Sequence, residues 1–168
     1  MDTHNHQTNS HNHGNAPHPD DPAKHKEHVA LFDLLPPEKA THRAINDGDW
    51  SDRSTWAGGS IPGEGADVFI PEGVAVTYDV GPGSNPELHY VRVNGELNFA
   101  TDQDTAMKVD TLMTDVGSTF TIGTDANPMP DQFTASIEIA NNGPITNFRN
   151  IDPMQLSRGV IIHGKVSI

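Results

Sequence analysis

Histidines and aspartates are the residues in this chain whose spacing first suggests chemistry. His4 and His6, and again His11 and His13, form His-x-His pairs, with His18 close behind. Imidazoles this close on a flexible segment can chelate Zn, Ni or Cu, at a large ordering cost and with weak selectivity. The plainer reading is a polar leader. His25 and His28 would share one face of a helix, but spacing fixes no third ligand, so a surface pair is expected. Asp47 and Asp49 bracket Gly48, with Asp52 just beyond Trp50; Asp102 and Asp104, and Asp125 with Asn127, repeat the theme. Hard cations such as Ca²⁺ need several oxygens on one turn. Ca²⁺ is therefore the one cofactor these turns suggest, and none is required. Turn capping is the default role of such residues.

Trp50 and Trp56, six apart, are the only tryptophans. They offer either a platform for the apolar faces of sugars or a structural cap where the domain begins. Arg92, Arg149, Arg158 and Lys165 are the cations that could gather into a local basic patch. Trp50, Trp56, Arg92 and Arg158 are thus the candidate glycan-binding residues. No catalytic residue is assigned. Hydrolysis of a glycosidic bond would need two carboxylates facing one cleft at about 5–10 Å. Glu72, Glu96 and Lys165, beside the regularly spaced glycines, make a mixed charged stripe instead. There is no Ser/His/Asp order, phosphate loop or zinc triad. His163, before Gly164 as Asn94 stands before Gly95, is read as a turn-adjacent surface histidine.

The elements that would position these groups are marked by Gly73, Gly95, Gly117, Gly143 and Gly164. The gaps between them are 22, 22, 26 and 21 residues. Alternating apolar residues follow each one, such as Val74 and Val76, or Leu97 and Phe99. A period of this length signals stacked repeats, none of which buries its apolar face alone. Period-two alternation makes each repeat a strand, a turn and a strand. The spacing predicts strands at 67–70, 74–78, 89–93, 96–99, 107–113, 119–122, 135–139 and 159–168. Val76, Val93, Leu97, Ile122, Ile139 and Val166 are expected to point inward. The fold class is all-β, a solenoid or β-helix-like stack of about five short rungs; a β-sandwich with evenly spaced turns is the alternative.

Composition divides the chain. Residues 1–45 hold eight of the ten histidines. Residues 1–24 read as a disordered His-, Asn- and Pro-rich tail. Residues 25–46 read as a linker with a short helix or an arm, stopped by Pro36 and Pro37. Residues 47–168 form the β domain. That domain carries 17 acids against six Lys and Arg. Such a body repels nucleic acid and anionic membranes at long range, and no run is long enough to cross a membrane. No apolar stretch of the signal-peptide type follows Met1. Cysteine is absent, which excludes disulfides and thiolate metal sites. Val160–Ile168 copies the pattern of Val91–Phe99 and then stops, so the chain is expected to be the first piece of a longer protein.

From Asp49 to Ile168 these motifs resemble the G8 domain, an extracellular module named for its glycines. The likeness rests on Trp50, Thr55-Trp56, Pro62 and Asp67-Val68-Phe69-Ile70. It continues through Gly73, Val76, Asp79 and the stretch Val91–Phe99. Gly117, Ile122-Gly123-Thr124, Pro128, Ile137-Glu138-Ile139 and His163-Gly164 complete it. The resemblance implies a non-catalytic module of a larger secreted or cell-surface protein. Such a module would cap a downstream β-helix of the same protein and help bind or present a polysaccharide or cell-surface glycan. It also leaves two alternatives: the N-terminal part of a hyaluronidase-like polysaccharide-degrading enzyme with catalytic groups downstream, or a structural adhesin. The acidic body argues against an acidic glycan.

Overall fold

The computed structural model describes residues 34–144 and 157–168. The expected tail, its four His-x-His histidines, His25, His28, Arg149 and the start of the arm lie outside the described residues. Apart from three short 3-10 turns at Pro37–Lys39, Arg53–Thr55 and Ala57–Gly59, the regular structure of the described residues is β. Its strands are β1 (His42–Arg43), β2 (Gly48–Asp49), β3 (Asp67–Ile70), β4 (Ala75–Tyr78), β5 (Glu87–Val93) and β6 (Glu96–Phe99). β7 (Thr105–Thr114), β8 (Thr119–Thr121), β9 (Ala135–Ile139), β10 (Gly159–Ile162) and β11 (Lys165–Ser167) complete the set. The expected strands are present, except that the one expected over 159–168 is two, β10 and β11, separated by a turn at His163 and Gly164 and lying in different sheets. β1 and β2 are two residues each, too short for alternation to reveal.

The strands fall into two sheets. Sheet 1 runs β1-β3-β5-β7-β10, with β9 also on β7; sheet 2 runs β2-β4-β6-β8-β11. Every pairing within the sheets is parallel. Apart from β9, which is a further strand of sheet 1, the strands therefore fall into consecutive pairs, such as β3–β4, β5–β6 or β10–β11, that give one strand to each sheet. We call each pair a level. Registers are offset-free down the levels: Val76 pairs with Leu97 and Leu97 with Phe120. A side chain that points inward on one level sits over an inward side chain on the next, at about the 4.8 Å strand spacing.

One core joins both sheets. Val68, Val91 and Leu112 line it from sheet 1; Val76, Leu97 and Phe120 line it from sheet 2. An aromatic column runs through it. Trp56 meets Trp50 at 4.9 Å between ring centroids, Trp50 meets Tyr78 at 5.1 Å, and Tyr78 meets Phe99 at 5.1 Å. Phe99 then meets Phe120 at 5.8 Å. These are the edge-to-face and tilted separations that ring quadrupoles favour. The expected inward residues divide along the stack. Val76, Val93 and Leu97 are buried and Ile122 packs against the core. Ile139 and Val166 are 40% and 50% exposed, because β9 and β11 lie at the ends of their sheets and no described strand stacks beyond them.

The packed chain also begins earlier than the boundary expected at residue 47. β1 pairs with β3, and Ala44 bridges to Trp56. Leu34 and Leu35 are buried against Tyr90, Met113 and Ile161 on the outer face of sheet 1. The arm is thus a cover for an apolar patch that alternation alone would leave in water.

Turns between sheets must nest as closely as the strands. A Cβ on Gly95 would lie 2.3 Å from both the Pro71 and Val74 carbonyl oxygens, and one on Gly164 would meet Ser118 equally closely. Gly95 therefore serves turn-on-turn contact and not a left-handed backbone. Gly63 offers the comparison, since it has open space around its Cβ position and no left-handed φ. Gly95→Ala is expected to destabilise the domain by about 1–3 kcal/mol or more through overpacking. Gly63→Ala is expected to be neutral or slightly stabilising. Urea unfolding of the two variants checks this; equal midpoints would contradict the nested turns.

Candidate functional site

Among the described residues, outward positions of sheet 2 line two clefts. Asp49, Thr77, Asn98 and Thr121 are register partners on successive levels, and Ser167 follows Thr121. Their neighbours Val76, Tyr78, Leu97, Phe99 and Phe120 are buried, so alternation turns this column outward. A cleft of about 470 Å³ lies along it, floored by Thr77 and Asn98. Asp79, the 100–103 segment and Asn127 wall it, and Asp49 lies at its edge. A smaller cleft of about 220 Å³ sits on the same face beside Asp47, Glu72, Ala75 and Glu96.

The walls are held by their own hydrogen bonds. The Asp79 carboxylate accepts from the Ser51 amide at 2.9 Å and from the Ser51 hydroxyl. Asn127 donates its amide to the Thr101 hydroxyl at 3.0 Å. Gln103 donates to the Asp79 carbonyl. The surface is rich in carboxylate, amide and hydroxyl groups and poor in aromatic area, since Phe99 is buried beneath it. It can accept and donate hydrogen bonds to a polyhydroxylated ligand, and its charge disfavours an anion.

The sequence-based glycan candidates lie elsewhere and are corrected here. Trp50 and Trp56 are fully buried, with the Trp56 indole N–H donating to the Trp50 carbonyl at 2.8 Å. They pack inside the domain, where neither ring face meets solvent. Arg92 is buried on sheet 1. It donates to the Asp115 carboxylate at 2.8 Å and to the Leu35 carbonyl at 2.8 Å, pinning the arm. Arg158 pairs with the buried Asp110 carboxylate and donates to the Ala140 carbonyl at 2.8 Å. Both cations are spent on internal carboxylates, so Arg92 and Arg158 form no surface basic patch.

The candidate calcium residues are dispersed. Asp47 accepts from the Ala75 amide at 2.8 Å and Asp104 from the Thr134 amide at 2.8 Å, each fixing a turn to the next level. Asp49 and Asp102 border the large cleft. Among the described residues no three His, Asp or Glu side chains converge as a metal site.

Sequence reading missed a second feature, at a bend in sheet 1. Leu88 pairs with Val109 and Tyr90 with Thr111, leaving His89 and Asp110 between the paired positions. The amides of His89 and Tyr90 both donate to the Ala66 carbonyl, at 3.1 and 3.2 Å, which marks a bulge. The bulge turns His89 toward Asp67, 3.0 Å away. The hydrogen bond to Asp67 raises the His89 pKa, against an opposing desolvation. Burial similarly pushes the Tyr78 phenol up; its hydroxyl donates to the Ala106 carbonyl at 2.8 Å. Both are structural polar contacts. The signal for the bulge is the spacing of three between inward Leu88 and Val91, a break in period two.

A family model described as the G8 domain matches residues 55–168. Comparison with curated proteins and with solved structures returned no match. The matched region contains both clefts' floors, Arg92–Asp115 and all strands from β3 onward.

Removing Arg92 would leave Asp115 buried without its cation, a loss of about 3–5 kcal/mol for a broken buried pair. Arg92→Ala is therefore expected to lower the urea midpoint sharply. Arg43→Ala, which removes a cation over the Phe69 ring on the same sheet, should have a smaller effect. An Arg92→Ala protein as stable as the parent would show that the pair carries no load in solution.

Proposed function

We propose that this chain, which belongs to the G8 domain family, is a non-catalytic module of a larger exported protein. In this reading it is a solenoid-like stack of about five short levels. It supports a following β-helix and contributes to glycan binding outside the cell or at its surface. The parallel, offset-free pairing of both sheets supports the stack. The last level supports the continuation: β10 and β11 end their sheets, and Val160, Ile162 and Val166 are 38–50% exposed. Open parallel edges with apolar inward positions are what a further strand pair would cover.

The observation that carries the glycan reading is the polar cleft on sheet 2. Its wall residues Asp79, Gln103 and Asn127 are fixed by internal hydrogen bonds, a preorganisation that reduces the ordering cost of binding. Asp79 is already occupied by Ser51, which suits a binding wall better than a proton-transfer pair. The excess of 17 acids over six Lys and Arg in residues 46–168, with Arg92 and Arg158 neutralised internally, favours uncharged sugars over polyanions.

Calorimetric titration at low ionic strength tests this. Neutral oligosaccharides are expected to bind measurably and hyaluronan weakly or not at all, because repulsion is least screened there. Tight hyaluronan binding that weakens with added salt would move the assignment to acidic polysaccharides.

A further inference from the structure

The floor of the large cleft differs from its walls in one respect. Its walls Asp79, Gln103 and Asn127 serve the fold through side-chain hydrogen bonds. Thr77 and Asn98 on its floor, and Thr121 next in register, do not; among the described residues their side chains have no such partner. All three are nevertheless half-buried; Thr77 and Asn98 lie between the fixed walls, and Thr121 continues the column on the next level, beyond the cleft's lining. Three consecutive levels thus present a hydroxyl, an amide and a hydroxyl, each in register with the next. Groups of this kind within a recess lose part of their water shell, and a ligand that pairs with them restores hydrogen bonding.

Their arrangement specifies the ligand's direction. The column runs across the strands, along the stacking direction, and repeats at about the 4.8 Å spacing of adjacent strands. That repeat is close to the advance of one residue in an extended sugar chain. No aromatic face opens into the cleft, because Phe99 is 3% exposed and both tryptophans are buried. Recognition would therefore rest on hydrogen bonds repeated level by level, each weak alone and cumulative along a polymer. The bordering carboxylates Asp49 and Asp102 exclude an anionic chain and accept hydrogen bonds from hydroxyls.

We propose that the outer face of sheet 2 binds an uncharged, linear polysaccharide laid along the stacking direction. Thr77, Asn98 and Thr121 are its successive contacts. The proposal rests on the glycan-binding reading above and adds to it a location, an orientation and a ligand class. It also accounts for side chains of moderate size and neutral charge at the floor of a face otherwise bordered by acids.

The test uses the whole chain in native affinity gels containing hydroxyethyl cellulose, with cellohexaose titrations for quantitation. Variants are Thr77→Val with Thr121→Val, Asn98→Ala, and Lys165→Gln as a control outside the column. The column variants should keep the parental thermal midpoint and lose at least about fivefold in affinity, the scale of a single lost hydrogen bond. Lys165→Gln should bind as the parent. Parental affinity in stable column variants would overturn the column while leaving glycan binding intact. A parent that binds hyaluronan and no neutral glucan would overturn the proposed ligand class. A parent that binds neither would overturn both the column and the reading beneath it.

Discussion

Offset-free parallel pairing is the constraint on which the rest of this structure depends. When Val76, Leu97 and Phe120 occupy one column, each level sees its own pattern repeated above and below. Inward positions are then largely apolar from level to level, with Thr114 beside Val93 an exception, and aromatic rings along the core meet at 4.9–5.8 Å. Turns must nest as tightly as strands, which leaves no room for a Cβ at Gly95 or Gly164. Outward positions inherit the same alignment. The polar column Thr77-Asn98-Thr121 is a by-product of the geometry that builds the core, and the proposed binding would use side chains that no fold contact occupies.

The same alignment explains why the arginines are internal. Sheet 1 has an apolar outer patch at Tyr90, Met113 and Ile161. Leu34 and Leu35 cover it, and covering it buries the neighbouring Arg92 and Asp115. A buried pair is not a large net source of stability, but breaking one is costly; Arg92 also ties the arm to the sheet through the Leu35 carbonyl. The charge left facing solvent on sheet 2 is consequently acidic. Under the proposed glycan reading, this division of charge between the two sheets would link the fold to the choice of ligand.

Much of this was legible from sequence. Four of the five spaced glycines, Gly73, Gly95, Gly117 and Gly164, mark turns between the sheets, and period-two alternation located the strand segments, because inward and outward positions differ sharply in hydrophobicity. The tryptophan cap was one of two open readings, and burial of both rings favours it. Other features were hidden for specific reasons. β1 and β2 are too short to alternate. The bulge at His89 breaks the period locally. The exposure of Ile139 and Val166 depends on what stacks beyond them, which their own residues do not encode. Arg92 and Arg158 look like surface cations until the partners Asp115 and Asp110, 23 and 48 residues away, are known. The floor column was invisible because Thr, Asn and Thr on separate strands are an ordinary polar face until register aligns them.

Register along the sheet 2 column is therefore the central claim, and the absence of cysteine makes it directly measurable. Paired cysteines can be placed at Thr77 and Asn98, at Asn98 and Thr121, and at Thr77 and Thr121, then treated with dibromobimane, which fluoresces on bridging two close thiols. Adjacent-level pairs lie at about the 4.8 Å strand spacing and the outer pair at about twice that. Rapid bridging of both adjacent pairs, with slow or no bridging of Thr77 to Thr121, is the predicted result. Failure of either adjacent pair in a folded protein, or equal bridging of the outer pair, would contradict the stack.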